Sequence, residues 1–408
     1  MKTPWPEPFP GVHWLDRAEE EAALEVLRSG ALFRYYGKVA PRFVAALEKA
    51  ACQFYGTRHA LAVNSGTGAL MTAMSALGIG PGAEVILPAF FWVSTVGAVV
   101  TANAIPILCE VDDSLTMDPR DLERKITSRT GLIVPVHMAG VPCDMEAIGA
   151  VARRHGIPLL EDCAQANGGE FRGRKLGSFG RIGVFSLQMN KNATAGEGGL
   201  LVTDDDALYE RCVSAHDLGI PWVGAAPQDL GYQSHTWGLG RRMSELGGAV
   251  ASVQFKKLPQ IVAHMRASKR RIKALLAGTP GLAFRRLNDE AGDTGPFLVV
   301  LLESADAALR AVQRMAAAGL DGASRLADYG LHIYSNVPQL VEKVPLSPAG
   351  NPWSLPQNQD SVHSYAKGSC PQSDALFARS IVIPIPSRLT PAEEQQAAAV
   401  IRAAVEGR

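Results

Sequence analysis

The charge of this 408-residue sequence is balanced, with 40 Lys and Arg against 40 Asp and Glu. It therefore lacks the excess of basic residues that binding to nucleic acids or anionic membranes requires. It also lacks a hydrophobic run as long as a membrane helix. Prolines interrupt the first eight residues, which have no apolar core, so we do not expect a signal peptide. These absences predict an ordinary soluble globular protein with no nucleic-acid partner and no membrane partner.

Metal and redox motifs are missing as well. The six cysteines form no CxxC pair and no Cys/His cluster, so they predict neither a zinc site nor a redox pair. Reduced thiols in a cytoplasm are the simplest interpretation. No Gly-x-Gly-x-x-Gly follows the first predicted strand, which argues against a dinucleotide-binding dehydrogenase. The nine histidines do not cluster; His137 and His332 are candidate substrate contacts, with a structural role as the alternative for each.

Helix and strand signals alternate regularly between Pro41 and Asp162. Strands are predicted at 60–63, 84–87, 105–108 and 132–136, with a last one ending at Asp162, and helices at 42–55, 66–77, 93–102, 118–126 and 145–155. Such alternation predicts right-handed βαβ units in an α/β domain, with a mostly parallel central sheet covered by helices.

The length of the chain predicts more than one core. We divide it into an N-terminal helix and loop, a large α/β domain and a smaller C-terminal α+β domain, over residues 1–40, 41–258 and 259–408. A helical stretch over 244–276, with a break at Pro259, is predicted to join the two domains. Loops near 34–36 and 334–353 are expected to shape the substrate pocket, and burial is the alternative for the first of them.

One lysine stands in an unusual place. Lys191 follows the apolar run 183–185 and lies in a polar, glycine-rich turn that fits neither a helix nor a strand pattern. An amine held there is useful as a nucleophile, because partial burial and neighbouring cations lower its pKa and allow a Schiff base with an aldehyde. A surface lysine is the alternative interpretation.

Two further motifs lie at predicted strand ends. Asp162 ends an apolar strand, and the carboxyl edge of a parallel sheet is where ligands bind. Ser65, Gly66 and Thr67 form a small-residue turn before a helix, which exposes backbone N–H groups to a phosphate. Pyridoxal 5'-phosphate needs a Schiff-base lysine, a carboxylate at its pyridine nitrogen and a phosphate site. The three motifs together therefore predict this cofactor.

The same motifs resemble those of a known family. Ser65-Gly66-Thr67, Glu-Asp-Cys-Ala-Gln at 161–165, and Lys191 followed by Gly-Glu-Gly-Gly at 196–199 resemble the sugar aminotransferases (DegT/StrS type) of fold-type I pyridoxal phosphate enzymes. The resemblance extends from about Gly30 to the C-terminal helix. It implies the fold-type I aminotransferase fold, a homodimer with active sites at its interface, and pyridoxamine phosphate as the intermediate form of the cofactor.

The resemblance also implies an activity and residue roles. The protein would move an amino group from glutamate or glutamine to a keto group of a sugar, cyclitol or related polyol. Lys191 would bind the cofactor and then transfer a proton, and Asp162 would bind the pyridine nitrogen. The other implied cofactor contacts are Gln165 beside the ring, Trp92 stacked on it, and Ser65, Gly66, Thr67 and Ser186 at the phosphate. Each has a structural alternative, such as a helix cap for Asp162 or core packing for Trp92 and Gln165.

The stretch Gly238–Arg242 departs from the family pattern. The family carries an asparagine two residues before the arginine, and the partner subunit gives it to the phosphate. Here that position is Gly240. Either Arg242 or Arg241 replaces the contact, or the contact is lost.

Two other activities stay open. The stretches 136–140 and 370–374 resemble the aminohydroxybenzoate synthases, which dehydrate and aromatise an aminocyclic acid with the same lysine. A non-catalytic scaffold that keeps the cofactor fold is the second alternative. Lys191 itself favours transamination, because related dehydratases have histidine at that position. The sequence fixes neither the donor nor the acceptor.

Overall fold

The computed structural model describes residues 5–219 and 236–407, so part of the glycine-bearing segment 215–240 lies outside the described residues. The helices are α1 (Arg17–Ser29), α2 (Phe43–Tyr55), α3 (Gly66–Ala76), α4 (Val93–Thr101), α5 (Pro119–Lys125), α6 (Met145–His155), α7 (Asp206–His216), α8 (Glu245–Leu276), α9 (Ala305–Ala317), α10 (Pro338–Val341), α11 (Pro371–Arg379) and α12 (Pro391–Glu406). The strands are β1 (His59–Val63), β2 (Glu84–Pro88), β3 (Ile105–Cys109), β4 (Thr130–Ile133), β5 (Leu160–Asp162), β6 (Glu170–Phe171), β7 (Arg174–Lys175), β8 (Ile182–Ser186), β9 (Gly199–Thr203), β10 (Ala283–Phe284), β11 (Phe297–Leu301), β12 (Ser324–Arg325) and β13 (Ser380–Pro384).

The large sheet has the order β3-β2-β4-β5-β8-β9-β1. Its two halves, β3-β2-β4 and β5-β8-β9-β1, are joined by parallel bridges from Ile133 to Leu159 and from Val136 to Asp162. Within this sheet, β9 runs in the opposite direction to the other six strands. The predicted mostly parallel sheet is therefore confirmed. The reversal of β9 was not predicted, because the connection from β8 is an irregular turn rather than a crossover helix.

Helices cover both faces of this sheet. Along β1, Leu61 and Val63 pack into one hydrophobic core and Ala60 and Ala62 into the other. This alternation follows from the two-residue period of a strand, which sends successive side chains to opposite faces. Buried on both faces, the strands read as continuous apolar runs, as expected for a parallel sheet.

The C-terminal part forms a smaller antiparallel sheet, β10-β11-β13-β12, with its own core. Helix α8 contributes to both cores, through Phe255 and Val262 to the large one and through Ile272 and Leu276 to the small one. The predicted break at Pro259 is wrong, since α8 continues through it. Burial on both sides of the proline outweighs the one lost hydrogen bond. The division at 258/259 falls inside this helix and stays a prediction.

The N-terminal helix is held as its sequence predicts. Asp16 and Glu19 form the capping box of α1, which packs against α8. In the following loop the burial alternative holds for Arg34 and Tyr35: Arg34 donates to Glu48 at 2.7 Å, and the Tyr35 hydroxyl lies 3.1 Å from His216 Nε2. No helix within residues 5–219 and 236–407 combines the length and apolar character needed to cross a bilayer.

Candidate active site

A cavity of about 540 Å³ opens at the carboxyl ends of β1, β5 and β8. Residues of the smaller sheet and of the loops beside it close the other side of the cavity: Pro296, Phe297, Gly322, Tyr329, His332 and Pro384. Eight of the predicted site residues line this cavity: Ser65, Gly66, Thr67, Trp92, Asp162, Gln165, Ser186 and Lys191. Residues more than 120 positions apart in the sequence thus meet at one sheet edge, which is where parallel strands place their ligands.

Lys191 stands at the end of the turn that leaves β8. Its N–H donates to the Gln188 carbonyl at 2.9 Å, and its own carbonyl accepts the Gly11 N–H at 3.0 Å. Both sides of the lysine backbone are therefore fixed. Burial lowers the pKa of the amine, while the Asp162 and Glu197 carboxylates act in the opposite direction. A larger fraction of this amine is uncharged and nucleophilic at neutral pH than in a solvated lysine.

Asp162 is almost fully buried at the end of β5. Its carboxylate accepts the Thr95 hydroxyl at 2.7 Å and the Ala164 N–H at 3.1 Å. Burial raises the pKa of this carboxyl, although the two hydrogen bonds and the charge of Lys191 oppose the shift. A buried carboxylate is stabilised when a cation lies against it, so this position suits a protonated ring nitrogen.

The N-terminus of α3 forms the third part of the site. The Ser65 hydroxyl caps the helix by accepting the Gly68 N–H at 2.9 Å. The first N–H groups of a helix have no partner within it, and here they belong to Gly66 and Thr67. A Cβ built on Gly66 would lie 2.8 Å from the Ser186 Cβ and 3.1 Å from its Oγ. The missing side chain thus keeps free the space between the helix terminus and the Ser186 hydroxyl.

This space fits a phosphate, which helix N-termini bind through N–H groups and a partial positive charge. The Asp162 carboxylate and the Lys191 amine line the same cavity. Phosphate cradle, carboxylate and amine are the three contacts that pyridoxal phosphate requires. The residues present therefore fit the cofactor that the sequence resemblance implies.

Gln165 and Trp92 form other parts of the wall. The Gln165 Oε1 accepts the Ala139 N–H at 2.9 Å, which leaves the amide NH₂ as the group that a ligand can use. Trp92 precedes α4 and is 38% exposed, so its indole lies on the cavity wall rather than in the core. Both positions are compatible with contacts to a planar ring.

Of the aromatic row beside Trp92, the sequence analysis named only His332, as a candidate substrate contact with a structural role as the alternative. The His332 ring lies 4.6 Å from the Trp92 ring and stacks on Tyr329 at 4.3 Å. Phe297, at the start of β11, packs edge-on against Tyr329. Four aromatic side chains from three parts of the chain therefore line one side of the cavity. For Tyr329 the sequence signal was limited to the local density of rings at 329–334, in a loop without a regular pattern.

The proton on His332 is located by its neighbour. Nδ1 lies 3.0 Å from the Tyr329 carbonyl, which only accepts, so Nδ1 carries the hydrogen and Nε2 is an acceptor. Burial lowers the pKa of His332 to about 4, and the charge of Lys191 acts in the same direction. The imidazole is therefore neutral at pH 7.

Some predicted contributions lie elsewhere. Arg242 pairs with the buried Asp217 carboxylate and lies over the Phe33 ring, outside the wall of the cavity. Its contact with a phosphate of the partner subunit stays a prediction. The loops near 34–36 and 334–353 were expected to shape the pocket; among the described residues neither lines it. The aromatic row takes that place.

His137 lies behind the site, in a hydrogen-bonded cluster with Glu161 and Cys163 whose possible ligand atoms lie within 4.8 Å of one another. His137 Nδ1 accepts the Cys143 N–H at 3.0 Å, and Nε2 lies 3.3 Å from the Glu161 carboxylate. The ring is fully buried and both nitrogens are engaged, so His137 has the structural role that the sequence analysis gave as its alternative.

Comparisons with known proteins agree with this architecture. A family model for the DegT/DnrJ/EryC1/StrS aminotransferase family matches residues 14–324. An aminotransferase from Psychrobacter cryohalolentis is 26% identical, with a TM-score of 0.81 over 98% of each chain. DesV from S. venezuelae, solved in complex with a ketimine intermediate, is 28% identical, with a TM-score of 0.80 over 99% of each chain. A 3-amino-5-hydroxybenzoic acid (AHBA) synthase is 26% identical, with a TM-score of 0.80 over 100% of this chain and 99% of the synthase. The chain belongs to the DegT/DnrJ/EryC1/StrS aminotransferase family.

Proposed function

We propose that this aminotransferase uses pyridoxal 5'-phosphate to move an amino group from glutamate or glutamine to a keto group of a sugar, cyclitol or related polyol, in biosynthesis. The observation that carries the proposal is the meeting of Lys191, Asp162 and the N-terminus of α3 in one cavity. Bound there, the cofactor would supply the electron sink that an amino group needs to leave one carbon and join another.

The chain's own residues would hold the cofactor from three sides. The N–H groups of Gly66 and Thr67, with the Ser65 and Ser186 hydroxyls, would bind the phosphate. Asp162 would keep the ring nitrogen protonated. The Thr95 hydroxyl holds the Asp162 carboxylate in place. On the ring faces and edge, Trp92 and Gln165 are the proposed contacts. Hydrogen bonds within the chain hold Ser65 and Asp162 in position, which limits the reordering that would oppose binding.

Lys191 would serve as nucleophile and then as base. Its Nζ would bind the cofactor and, once released, would take a proton from the substrate carbon and give it up again. A lysine whose pKa is lowered by burial does this more readily at neutral pH than a solvated one. The fixed backbone on both sides limits how far Nζ moves.

The aromatic row supports a polyhydroxylated acceptor. Ring faces pack against the C–H faces of a saturated ring, and the Nε2 of neutral His332 accepts a hydrogen bond from a hydroxyl. A protonated imidazole lacks that acceptor. The pKa of His332 near 4 therefore suits recognition of hydroxyl donors.

A homodimer in a reducing, cytoplasmic compartment completes the proposal. The segment that carries Gly238–Arg242 exposes large apolar side chains: Trp237 is 90% exposed and Leu239 is 68% exposed. Leu218 nearby is 57% exposed. Apolar side chains concentrated on one such segment favour contact with a second copy, which would bring Arg242 towards the partner's cavity. The six cysteines are free thiols, in keeping with a reducing compartment.

One of the comparisons supports a second activity. The AHBA synthase matches this chain from end to end, so a dehydrating and aromatising reaction on an aminocyclic acid is the alternative. The two activities differ in their products. Transamination releases a keto acid from the donor, whereas aromatisation gives an ultraviolet-absorbing ring without one.

The proposal is tested by incubating the purified protein and cofactor with glutamate or glutamine and a set of keto-sugars and keto-cyclitols. We expect one donor to yield its keto acid in step with an aminated acceptor. An ultraviolet-absorbing product without a keto acid would instead select the aromatising reaction. The variant Lys191→Ala controls for non-enzymatic transfer.

A further inference from the structure

The N-terminal arm, defined here as residues 5–14, crosses from the small domain to the turn that carries Lys191. At its start the half-buried Trp5 packs against the core of the smaller sheet, beside α12 and the residues that follow α9. Pro8 lines the active-site cavity. At its end the Trp14 carbonyl accepts Lys257 Nζ on α8 at 2.8 Å. One short segment thus touches both domains and the cavity between them.

Two hydrogen bonds fix the middle of the arm. Ser387, which follows β13 in the small domain, donates its hydroxyl to the Pro10 carbonyl at 2.7 Å. The next residue, Gly11, donates its N–H to the Lys191 carbonyl at 3.0 Å. Ser387 is 1% exposed, so water does not compete for its hydroxyl. A chain of two bonds therefore runs from the small domain through the arm to the backbone of the lysine.

The space around Gly11 is too small for a side chain. Its backbone is right-handed helical, with φ −66°, so any residue tolerates its conformation. A Cβ there would lie 2.9 Å from Gln254 Oε1 and 3.0 Å from Thr194 Cγ2. Thr194 is three residues from Lys191 and its hydroxyl donates to the Leu187 carbonyl, within the same turn. The arm can therefore approach this turn closely because residue 11 has no side chain.

We propose that Ser387 and Gly11 are positioning residues for Lys191: Ser387 holds the arm, and the arm holds the lysine backbone through Gly11. The inference rests on the proposed function only in treating Lys191 as the residue that binds the cofactor. It has a mechanical consequence, since a shift of the small domain would reach Lys191 through the arm.

The test compares Ser387→Ala with Trp14→Phe. Both variants remove the hydrogen bond that Trp14 Nε1 donates to Ser387 Oγ at 3.2 Å, and Ser387→Ala also removes the bond from Ser387 to the Pro10 carbonyl. Only Ser387→Ala frees the Pro10 carbonyl. Hydrogen exchange measured by mass spectrometry on the apoprotein reports residues 5–14 and 187–200 separately. A second readout is the rate, as a function of pH, at which added pyridoxal phosphate is captured by Lys191.

We expect Ser387→Ala to speed exchange in both peptides and to slow capture by about fivefold, the effect of one hydrogen bond. Trp14→Phe is expected to leave exchange in 187–200 and the capture rate as in the wild type. Faster exchange in the arm alone, with an unchanged 187–200 peptide and unchanged capture, would show that the arm only clamps the domains together and would overturn the proposal.

Gly11→Ala keeps the proposal testable if Ser387→Ala does not fold. Its methyl group would push the arm away from Lys191. Thr194→Ser in the same chain removes Cγ2, one of the three atoms that the methyl group meets, while Gln254 Oε1 and the Thr194 backbone N remain. We expect the single variant to show the faster exchange and slower capture, and the double variant to regain part of both. A single variant that matches the wild type in both readouts contradicts the proposal. The exchange experiment needs no cofactor, so its outcome is separate from that of the proposed function.

Discussion

Glu161 and Asp162 are consecutive residues of β5, yet their carboxylates lie on opposite faces of the sheet. Glu161 accepts the N–H groups of Gly177 at 2.9 Å, Phe179 at 2.6 Å and Gly180 at 2.7 Å. Asp162 accepts the Thr95 hydroxyl and lines the cavity. The period of a strand separates the two side chains. One carboxylate therefore holds a loop in place, and its neighbour is available to a ligand.

This separation predicts that two matched variants differ in their effect on the free energy of unfolding. Glu161→Gln replaces one acceptor oxygen by an NH₂ group that faces buried N–H donors, and we expect it to lower the free energy of unfolding by about 2–3 kcal/mol. Asp162→Asn removes a charge that burial disfavours, and the amide can still accept the Ala164 N–H and donate to the Thr95 hydroxyl, so stability is expected to change by less than about 1 kcal/mol. Urea unfolding of the apoproteins measures both. Equal losses of unfolding free energy in the two variants would contradict the structural role assigned to Glu161.

The same pair separates stability from activity. We expect Asp162→Asn to lower kcat by at least about 100-fold, equivalent to about 3 kcal/mol of transition-state stabilisation, since the ring nitrogen loses its partner. Glu161→Gln, assayed where it is still folded, is expected to keep kcat within about threefold of the wild type. A larger activity loss for Glu161→Gln would place Glu161 in the chemistry.

Gly66→Ala tests the phosphate cradle. Its methyl group would meet Ser186, so the helix terminus and the strand end have to separate. We expect the dissociation constant for pyridoxal phosphate to rise by about tenfold or more, as phosphate hydrogen bonds are lost. The matched control is Gly97→Ala inside α4, where an added Cβ meets nothing within 4 Å. That variant should keep the wild-type affinity, and its unfolding free energy should stay the same or rise.

His332→Phe tests recognition of the acceptor. The variant keeps a ring beside Trp92 but removes the Nε2 acceptor. We expect the Michaelis constant for the acceptor to rise by about tenfold, the effect of one lost hydrogen bond to a buried partner, while the reaction with the amino donor alone is unchanged. Rapid-mixing absorption spectroscopy with donor only, followed by steady-state assays with acceptor, separates the two. If His332→Phe slows only the reaction with the amino donor and leaves the Michaelis constant for the acceptor unchanged, His332 does not recognise the acceptor.

The buried imidazole of His216 predicts a loss of stability in mild acid. Burial lowers its pKa to about 3, whereas the unfolded chain has the ordinary value of 6.5. Between these values the unfolded state binds a proton that the folded state does not, so folding stability falls as pH falls below 6.5. From pH 6.5 to pH 5 this amounts to about 2 kcal/mol.

Unfolding by urea at several pH values checks this slope, with His216→Gln as the comparison. The amide does not titrate, so the variant is expected to lose about 2 kcal/mol less than the wild type over the same interval. Parallel pH profiles for the two proteins would show that His216 has the same pKa in the folded and unfolded states and would contradict this account.

Local patterns carried most of the sequence-based prediction. The turn at Ser65–Thr67, the strand end at Asp162 and the turn at Lys191 each combine a hydrophobic run with a break, and such signals lie within a few residues. Their meeting at one edge follows from the rule for parallel sheets, without coordinates. These patterns predicted five of the residues that line the cavity, whereas the family resemblance added Trp92, Gln165 and Ser186.

What the sequence did not reveal depends on distant contacts. His332 was predicted only as a candidate substrate contact and Tyr329 was not predicted, because both lie in a loop without periodicity. Packing between distant parts of the chain brings His332 beside Trp92 and Tyr329 against His332. Pro259 predicts a helix break by local rules, but burial of both sides of α8 overrides it. The hydrogen bond from Gly11 to Lys191 joins segments 180 positions apart and leaves no local signal.

The measurement that tests the central claim most directly is the absorption spectrum of the protein with pyridoxal phosphate, from about 300 to 450 nm, before and after glutamate or glutamine. Lys191→Ala is measured beside it. We expect a long-wavelength band that one donor converts to a shorter-wavelength band, and no lysine-bound band in the variant. A band that neither donor changes would contradict transamination from these donors, and no band at all would leave the non-catalytic scaffold.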